Sequence, residues 1–229
     1  MKTEFSGILF DLDGTLLDTA LDFVPAVNEV RLQMGLFPLE LTDIRPHVSH
    51  GAKRLVKECL LVSEQQSKFE SVLNALLDAY ERSLASHARL FEGMDRLLER
   101  CEYWGLPWGV VTNKPKRFTE PLLNALGLET KAQCIVSGDT LLQKKPDPAP
   151  LAFACHQMQI EPGKTLYVGD AERDIQAGKS AGMPTAVALF GYLSSNDQPS
   201  LWKADYELHK AEDLFSILDP VQDKKSETI

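Results

Sequence analysis

Two aspartates that close a short apolar run constrain this chain more than any other feature of its sequence. The run Gly7-Ile8-Leu9-Phe10 has the length and composition of a buried strand, and Asp11 and Asp13 follow it directly. Residues two apart in an extended segment point the same way, and Gly14 then allows a sharp turn. Because like charges at one point repel each other unless a cation lies between them, the pattern favours a functional site over a solvated acidic turn.

A second apolar segment ends in small polar residues. Trp108-Gly109-Val110-Val111 is typical of a strand, Thr112-Asn113 follows it, and Pro115 suits the first position of the next helix. A hydroxyl group and free backbone N–H groups at such a helix start can bind an anion. The same residue types are common helix caps, so this motif alone leaves both roles open.

Charged residues complete the pattern in the second half of the chain. Lys145 lies in a loop that Pro146 and Pro148 make rigid, where it can act as a point charge for a phosphate or remain an ordinary solvated lysine. Asp170 ends another apolar run, and Asp174 lies four residues later, on one face of a helix that begins there. Carboxylates at strand ends suit Mg²⁺, and helix capping is the alternative role for this pair.

Taken together and in this order, the four motifs resemble those of the haloacid dehalogenase superfamily, and specifically of its small phosphatases. The resemblance extends over nearly the whole chain. Thr112-Asn113-Lys114-Pro115 looks like the phosphoglycolate phosphatase branch, and Phe190-Gly191-Tyr192 with Trp202 and Ala204-Asp205 is similar to the N-acetylmuramic acid 6-phosphate phosphatases of that branch. The resemblance implies an α/β fold, with a Rossmann-like parallel sheet core and a helical cap that is inserted after the first strand.

The resemblance also implies catalytic roles for the motif residues. Asp11 would attack phosphorus and become an aspartyl phosphate, and Asp13 would protonate the leaving oxygen and later take a proton from water. Thr112 and the amide of Asn113 would bind phosphoryl oxygens. Lys145 would neutralise charge on the nucleophile and on the phosphate.

Mg²⁺ is the cofactor that the resemblance implies. Its ligands would be Asp11, the backbone carbonyl of Asp13 and Asp170, with Asp174 in support. A dehalogenase of the same superfamily needs no metal and lacks the second aspartate, so Asp13 counts against that activity. A non-catalytic binding protein would be expected to have lost one of these charged groups, whereas a sugar-phosphate mutase shares every core motif and remains an alternative.

Hydrophobic periodicity predicts how the domains are arranged along the chain. Residues 18–91 show helical periodicity and no clear strand, which predicts an inserted helical block. The resemblance implies that this block is a helical cap domain and that residues 1–17 and 92–229 form the catalytic α/β core. The last residues, 222–229, are polar and expected to be frayed. In the core, helices are predicted at about Met94–Trp104, Lys116–Leu126, Pro148–Met158 and Arg173–Ala181, between strands near 107–112, 133–137, 165–169 and 184–189.

The expected substrate is a small carboxylated phosphometabolite of the phosphoglycolate type, and N-acetylmuramic acid 6-phosphate or another sugar phosphate is the alternative. Both named esters carry a carboxylate besides the phosphate, so a cation in the cap would help to bind either. The segment from Arg45 to Arg54 is rich in such groups. Arg45, His50, Lys53 and Arg54 are therefore candidate substrate-binding residues, although a solvated basic surface would have the same composition.

Composition limits the partners and the compartment. The net charge of −9 argues against nucleic acid or an anionic membrane as a partner. No apolar run is long enough to cross a bilayer, and the N-terminus leads straight into the first strand, so we expect no signal peptide. The four cysteines are scattered and favour free thiols in a reducing cytoplasm over disulfides or zinc.

Overall fold

Short runs of buried apolar residues form the strands of the fold. The computed structural model describes residues 5–219, so the predicted frayed segment 222–229 lies outside the described residues. The strands, in chain order, are β1 (Gly7–Phe10), β2 (Leu17–Asp18), β3 (Arg89–Leu90), β4 (Trp108–Val111), β5 (Cys134–Val136), β6 (Thr165–Gly169), β7 (Thr185–Ala188) and β8 (Tyr206–Leu208).

Six of these strands form one parallel sheet, which confirms the predicted α/β fold class. The order is β5-β4-β1-β6-β7-β8, so the first strand of the chain lies in the interior of the sheet. Strand β1 pairs with β4 on one side and with β6 on the other. The residues that follow these three strands, among them Asp11, Thr112 and Asp170, therefore meet at one edge, where ligands bind in open parallel sheets.

Helices cover both faces of the sheet, as parallel strands that are buried on both sides require. The predicted core helices and strands are all present, and their bounds differ from the prediction by at most one residue at either end. The sequence analysis missed β8, an edge strand of three residues in which only Leu208 is buried. The core helices are α5 (Met94–Trp104), α6 (Lys116–Ala125), α7 (Ala149–Met158), α8 (Glu172–Ser180), α9 (Pro199–Trp202) and α10 (Asp213–Leu218), with a 3₁₀ turn at Pro162–Lys164.

Four helices between β2 and β3 form a bundle with a hydrophobic core that, apart from Phe118 and Tyr192, consists of residues of the bundle. In this core the rings of Phe23 and Tyr80 stack with their centroids 3.9 Å apart. The separate core supports the predicted division into a cap and a catalytic core, which stays a prediction. The helices of the bundle are α1 (Ala20–Gln33), α2 (Leu41–Val48), α3 (Ala52–Cys59) and α4 (Phe69–Ser83).

The chain passes between sheet and bundle through a small antiparallel ladder. Strand β2 pairs with β3, so that Leu17 lies opposite Leu90 and Asp18 opposite Arg89. The expectation of no strand within residues 18–91 is corrected here. Strands of two residues are too short to give an alternating pattern in the sequence. The ladder forms because the segments that enter and leave the bundle lie side by side.

None of the described helices is long and apolar enough to cross a membrane. The four cysteines are buried and unpaired in this part of the chain, as the sequence analysis expected.

A buried carboxylate holds the segment between α4 and β3, through which the chain returns from the bundle to the sheet. Asp22 on α1 accepts hydrogen bonds from the backbone N–H groups of Ala85 (2.7 Å), His87 (2.7 Å) and Ala88 (3.1 Å). Burial raises the pKa of the Asp22 carboxyl group, and the three N–H donors oppose that rise. One side chain thus satisfies three backbone donors of the segment between α4 and β3.

We expect Asp22→Asn to lower the free energy of unfolding by about 2–4 kcal/mol. The amide keeps a single acceptor oxygen and turns its NH₂ group toward a backbone N–H, so at least one buried donor loses its partner. Urea denaturation of the variant checks this, with Asp78→Asn on the exposed face of α4 as the matched control. An equal loss of unfolding free energy in the two variants would contradict the role of the Asp22 carboxylate in holding this segment.

Candidate active site

Three carboxylates meet at the edge of the sheet. Asp11 follows β1, Asp170 follows β6, and Asp174 lies in the first turn of α8. One oxygen of each group lies within 4.8 Å of the others, and all three residues are buried. Carboxylates at this separation in a buried place need cations to balance their charge.

Lys145 is one cation that the chain itself supplies, in direct contact with two of these carboxylates. Its Nζ atom lies 2.8 Å from Asp11 Oδ1 and 2.7 Å from Asp174 Oδ1, and its side chain is fully buried. The ammonium group also donates hydrogen bonds to the carbonyl oxygen of Val111 (2.9 Å) and the hydroxyl of Tyr167 (2.8 Å). These contacts satisfy a charge that would be costly to bury alone.

The loop that carries Lys145 is held by Asn113. The Asn113 side chain donates a hydrogen bond to the Lys145 carbonyl oxygen (2.9 Å) and accepts one from the Lys145 backbone N–H (3.0 Å). The side chain of Asn113 therefore positions Lys145. Contact with a phosphoryl oxygen through the backbone amide of Asn113 stays a prediction.

Burial and the neighbouring charges shift the pKa values of the three carboxyl groups in different directions. Burial raises the pKa of Asp11, and the Lys145 ammonium opposes that rise. Burial also acts to raise the pKa of Asp174, but Lys145 and Arg173 together bring this pKa below its ordinary value. Burial, with the charges of Asp11 and Asp174, raises the pKa of Asp170 to about 7.

Asp170 has one oxygen that lacks a partner. Its Oδ2 accepts hydrogen bonds from Ser49 Oγ (2.7 Å) and from the backbone N–H of Tyr192 (2.9 Å), whereas Oδ1 is buried without a hydrogen bond. A hard cation is the natural partner for such an atom among carboxylates, so the donor set fits a divalent ion. Gly14 is needed here, because a Cβ atom at that position would lie 2.0 Å from Asp170 Oδ2.

The carboxylate of Asp13 faces away from this cluster. Its Oδ1 accepts hydrogen bonds from the Lys114 ammonium (2.9 Å) and from the Thr19 hydroxyl. The metal ligand that the resemblance implies is the backbone carbonyl of this residue. Asp13 also lines the cavity described below.

Lys114 is a site residue to which the sequence analysis assigned no role. Besides Asp13, its ammonium contacts the hydroxyl of Tyr80 on α4 (2.7 Å) and lies 4.7 Å from the centre of that ring. Burial alone would lower the pKa of Lys114, but Asp13 and Tyr80 hold it above the ordinary value. The sequence feature that could have identified Lys114 is its place in the Thr112-Asn113-Lys114-Pro115 motif. No sequence feature marked its partner Tyr80 as a site residue.

A cavity of about 430 Å³ extends from Asp11 and Asp13 to the helical bundle. Thr112 lines its floor, and His50 and Lys53 line it from the ends of α2 and α3, so these predicted residues come together. One wall is apolar and is formed by Phe23, Val48, Leu73, Leu77 and Phe118. Further basic residues that line it are Lys114, Arg117, Lys144 and Arg173.

Unlike His50 and Lys53, Arg45 and Arg54 do not line this cavity, and their contact with a substrate stays a prediction. Arg45 forms an ion pair with Asp18 (3.0 Å) and lies 4.9 Å from the centre of the Tyr192 ring. Arg54 pairs with Glu58 one helical turn away (3.2 Å). The helices α2 and α3 turn these arginines to other faces, which the count of basic residues in the sequence could not reveal.

Comparisons with known proteins agree with this geometry. Residues 8–188 match the family model described as haloacid dehalogenase-like hydrolase. The chain is 38% identical to N-acetylmuramic acid 6-phosphate phosphatase from Pseudomonas aeruginosa, over 95% of this chain and 96% of that protein. It is also 38% identical to a phosphoglycolate phosphatase from Xanthomonas campestris, with 91% and 94% covered.

The fold has close structural relatives as well. The crystal structure of a predicted phosphoglycolate phosphatase from Haemophilus somnus is similar with a TM-score of 0.83 at 27% identity, over 95% of this chain and 99% of that one. These relatives confirm the prediction of a phosphatase that acts on a small phosphorylated metabolite. The chain belongs to the haloacid dehalogenase-like hydrolases.

Proposed function

We propose that the chain is a Mg²⁺-dependent phosphomonoester hydrolase whose nucleophile is Asp11. The observation that carries this proposal is the buried cluster of Asp11, Asp170 and Asp174, in which Lys145 pairs with Asp11 and Asp174 and Asp11 lines a cavity large enough for a metabolite. Asp11 and Asp170, with the carbonyl of Asp13, would hold the ion, and Asp174 would support it. The bound ion would position the phosphoryl group and offset its charge.

The residues of the chain account for both halves of the reaction. The Asp11 carboxylate attacks phosphorus, the bond from phosphorus to the ester oxygen breaks, and Asp13 gives that oxygen a proton. Asp13 then takes a proton from water, whose oxygen attacks the aspartyl phosphate and releases inorganic phosphate and free Asp11. Lys114 and Thr19 stabilise the ionised Asp13 that the second half requires.

The cavity favours a substrate larger than a two-carbon acid. Its volume of about 430 Å³ lies within the range of sites for sugar-sized ligands, and its apolar wall suits methyl and acetyl groups. The basic residues at the same cavity suit a carboxylate. We therefore propose a carboxylated sugar phosphate of the N-acetylmuramic acid 6-phosphate type, and the relative from Pseudomonas aeruginosa supports this choice.

Phosphoglycolate is the second candidate substrate. The relative from Xanthomonas campestris, which is equally similar, is named for its action on phosphoglycolate. His50 and Lys53 could bind the carboxylate of this smaller ester if the bundle moved closer to Asp11. We also propose a cytoplasmic location, which the four free cysteines support.

Asp11→Asn should abolish turnover and leave the fold unchanged, because an amide is not a nucleophile but has nearly the shape of the carboxylate. Circular dichroism checks the fold. Rapid quenching of the unaltered enzyme, followed by peptide mapping, should locate the trapped phosphoryl group on Asp11. A label on any other residue would overturn the assignment of the nucleophile.

Excess EDTA should abolish activity, and Mg²⁺ should restore it. Without a divalent ion the carboxylates of Asp11 and Asp170 would repel an incoming phosphate. Ca²⁺ should restore little activity, since its larger and looser coordination disturbs in-line geometry. Phosphate release is the measurement, and full activity in excess EDTA would contradict the proposed metal site.

Substrate choice can be tested with two sugar phosphates and two lysine variants. Lys53→Ala should lower kcat/KM for N-acetylmuramic acid 6-phosphate about fivefold, the effect of one partly solvated ion pair. It should not change kcat/KM for N-acetylglucosamine 6-phosphate, which lacks the lactyl carboxylate. Lys57→Ala on the same helix, which does not line the cavity, is the matched control.

The proposed order of substrates is checked in the same assay. The unaltered enzyme should have a higher kcat/KM for N-acetylmuramic acid 6-phosphate than for phosphoglycolate. The reverse order would establish the second candidate. Equal losses on both sugars in Lys53→Ala would show that Lys53 does not contact the carboxylate.

A further inference from the structure

One residue of the helical bundle is hydrogen-bonded to a carboxylate of the candidate metal site. Ser49 follows α2, and its hydroxyl lies 2.7 Å from Asp170 Oδ2 and 3.3 Å from the carbonyl oxygen of Asp13. The shorter distance indicates that the single hydroxyl proton is donated to Asp170. The backbone carbonyl of Ser49 accepts a hydrogen bond from Arg173 on α8 (2.7 Å), so the core binds this residue twice.

These contacts determine which oxygen of Asp170 is free. Ser49 and the Tyr192 backbone N–H together occupy Oδ2, and Oδ1 is left without a donor beside Asp11 and Asp174. Without the Ser49 hydroxyl, the Tyr192 N–H alone would hold Oδ2, and rotation of the carboxylate about its bond to Cβ would cost less. The hydroxyl therefore orients Oδ1 toward the place where a cation would bind.

The second donor on Oδ2 also belongs to the connection between sheet and bundle. Through its hydroxyl, Tyr192 donates a hydrogen bond to Asp18 (2.8 Å) and accepts one from the backbone N–H of Ala20, at the start of α1 (2.8 Å). Asp18 in turn pairs with Arg45 on α2. Both groups that hold Oδ2 are thus connected to the position of the bundle.

We infer that Ser49 is a positioning residue that couples closure of the helical bundle to metal binding at Asp170, which rests on the Mg²⁺ site of the proposed function. The hydrogen bond exists only while the end of α2 lies against the sheet. Because coupling between two equilibria is reciprocal, Mg²⁺ bound at Asp170 favours the closed bundle, and the closed bundle favours Mg²⁺.

Calorimetric titration of the full chain with Mg²⁺ tests the coupling without any substrate. Ser49→Ala should raise the Mg²⁺ dissociation constant about threefold to tenfold, which corresponds to the loss of one net hydrogen bond. Ser49→Thr, which keeps the hydroxyl, should restore the affinity. Ser71→Ala makes the same change on the exposed side of α4 and should bind Mg²⁺ as the unaltered chain does.

Hydrogen exchange of residues 41–59 provides the second measurement. Mg²⁺ should slow exchange of these backbone amides in the unaltered chain and in Ser71→Ala, and should slow it clearly less in Ser49→Ala, where only the Tyr192 connection remains. A purely structural role for Ser49 would change exchange equally with and without Mg²⁺, and that result would overturn the inference.

The outcomes separate this inference from the proposed function. If the unaltered chain binds no Mg²⁺, the proposed metal site and the coupling fail together. If it binds Mg²⁺ and Ser49→Ala has the same dissociation constant as Ser71→Ala, only the coupling fails.

Discussion

A fully buried ammonium group holds the acidic site of this protein together. Lys145 lies between Asp11 and Asp174, two carboxylates that would otherwise repel each other in a place with little water. The lysine is itself costly to bury, and its contacts with these two carboxylates, the Val111 carbonyl and the Tyr167 hydroxyl offset that cost. The site therefore depends on the loop position of this one residue.

The sheet and the bundle contribute different parts of the candidate active site. The sheet edge supplies the groups that would meet a phosphoryl group, and these cannot distinguish one ester from another. The bundle supplies much of the apolar wall and the residues His50 and Lys53, which line the same cavity. In a chain with a net charge of −9, basic residues gathered at this cavity attract an anionic ligand locally.

Much of the fold could be predicted from the sequence because its main elements have strong local patterns. Strands such as β6 are short apolar runs that end in glycine or a polar residue, and the long helices have a regular apolar face. The missed elements are those without such a pattern. Edge strand β8 has one buried residue, and β2 and β3 have two residues each, so their pairing depends on the surrounding structure.

The sequence by itself determined the family, the sheet and the acidic motifs, because strand ends in a parallel sheet meet at one edge whatever covers them. Only the tertiary structure decided which basic residues reach the cavity. Arg45 and His50 are close in the sequence, yet the turn of α2 directs one to Asp18 and the other to the cavity. Lys114 with Tyr80, and Ser49 with Asp170, are contacts between segments far apart in the chain. Their formation depends on how the bundle packs against the sheet, which local spacing does not encode.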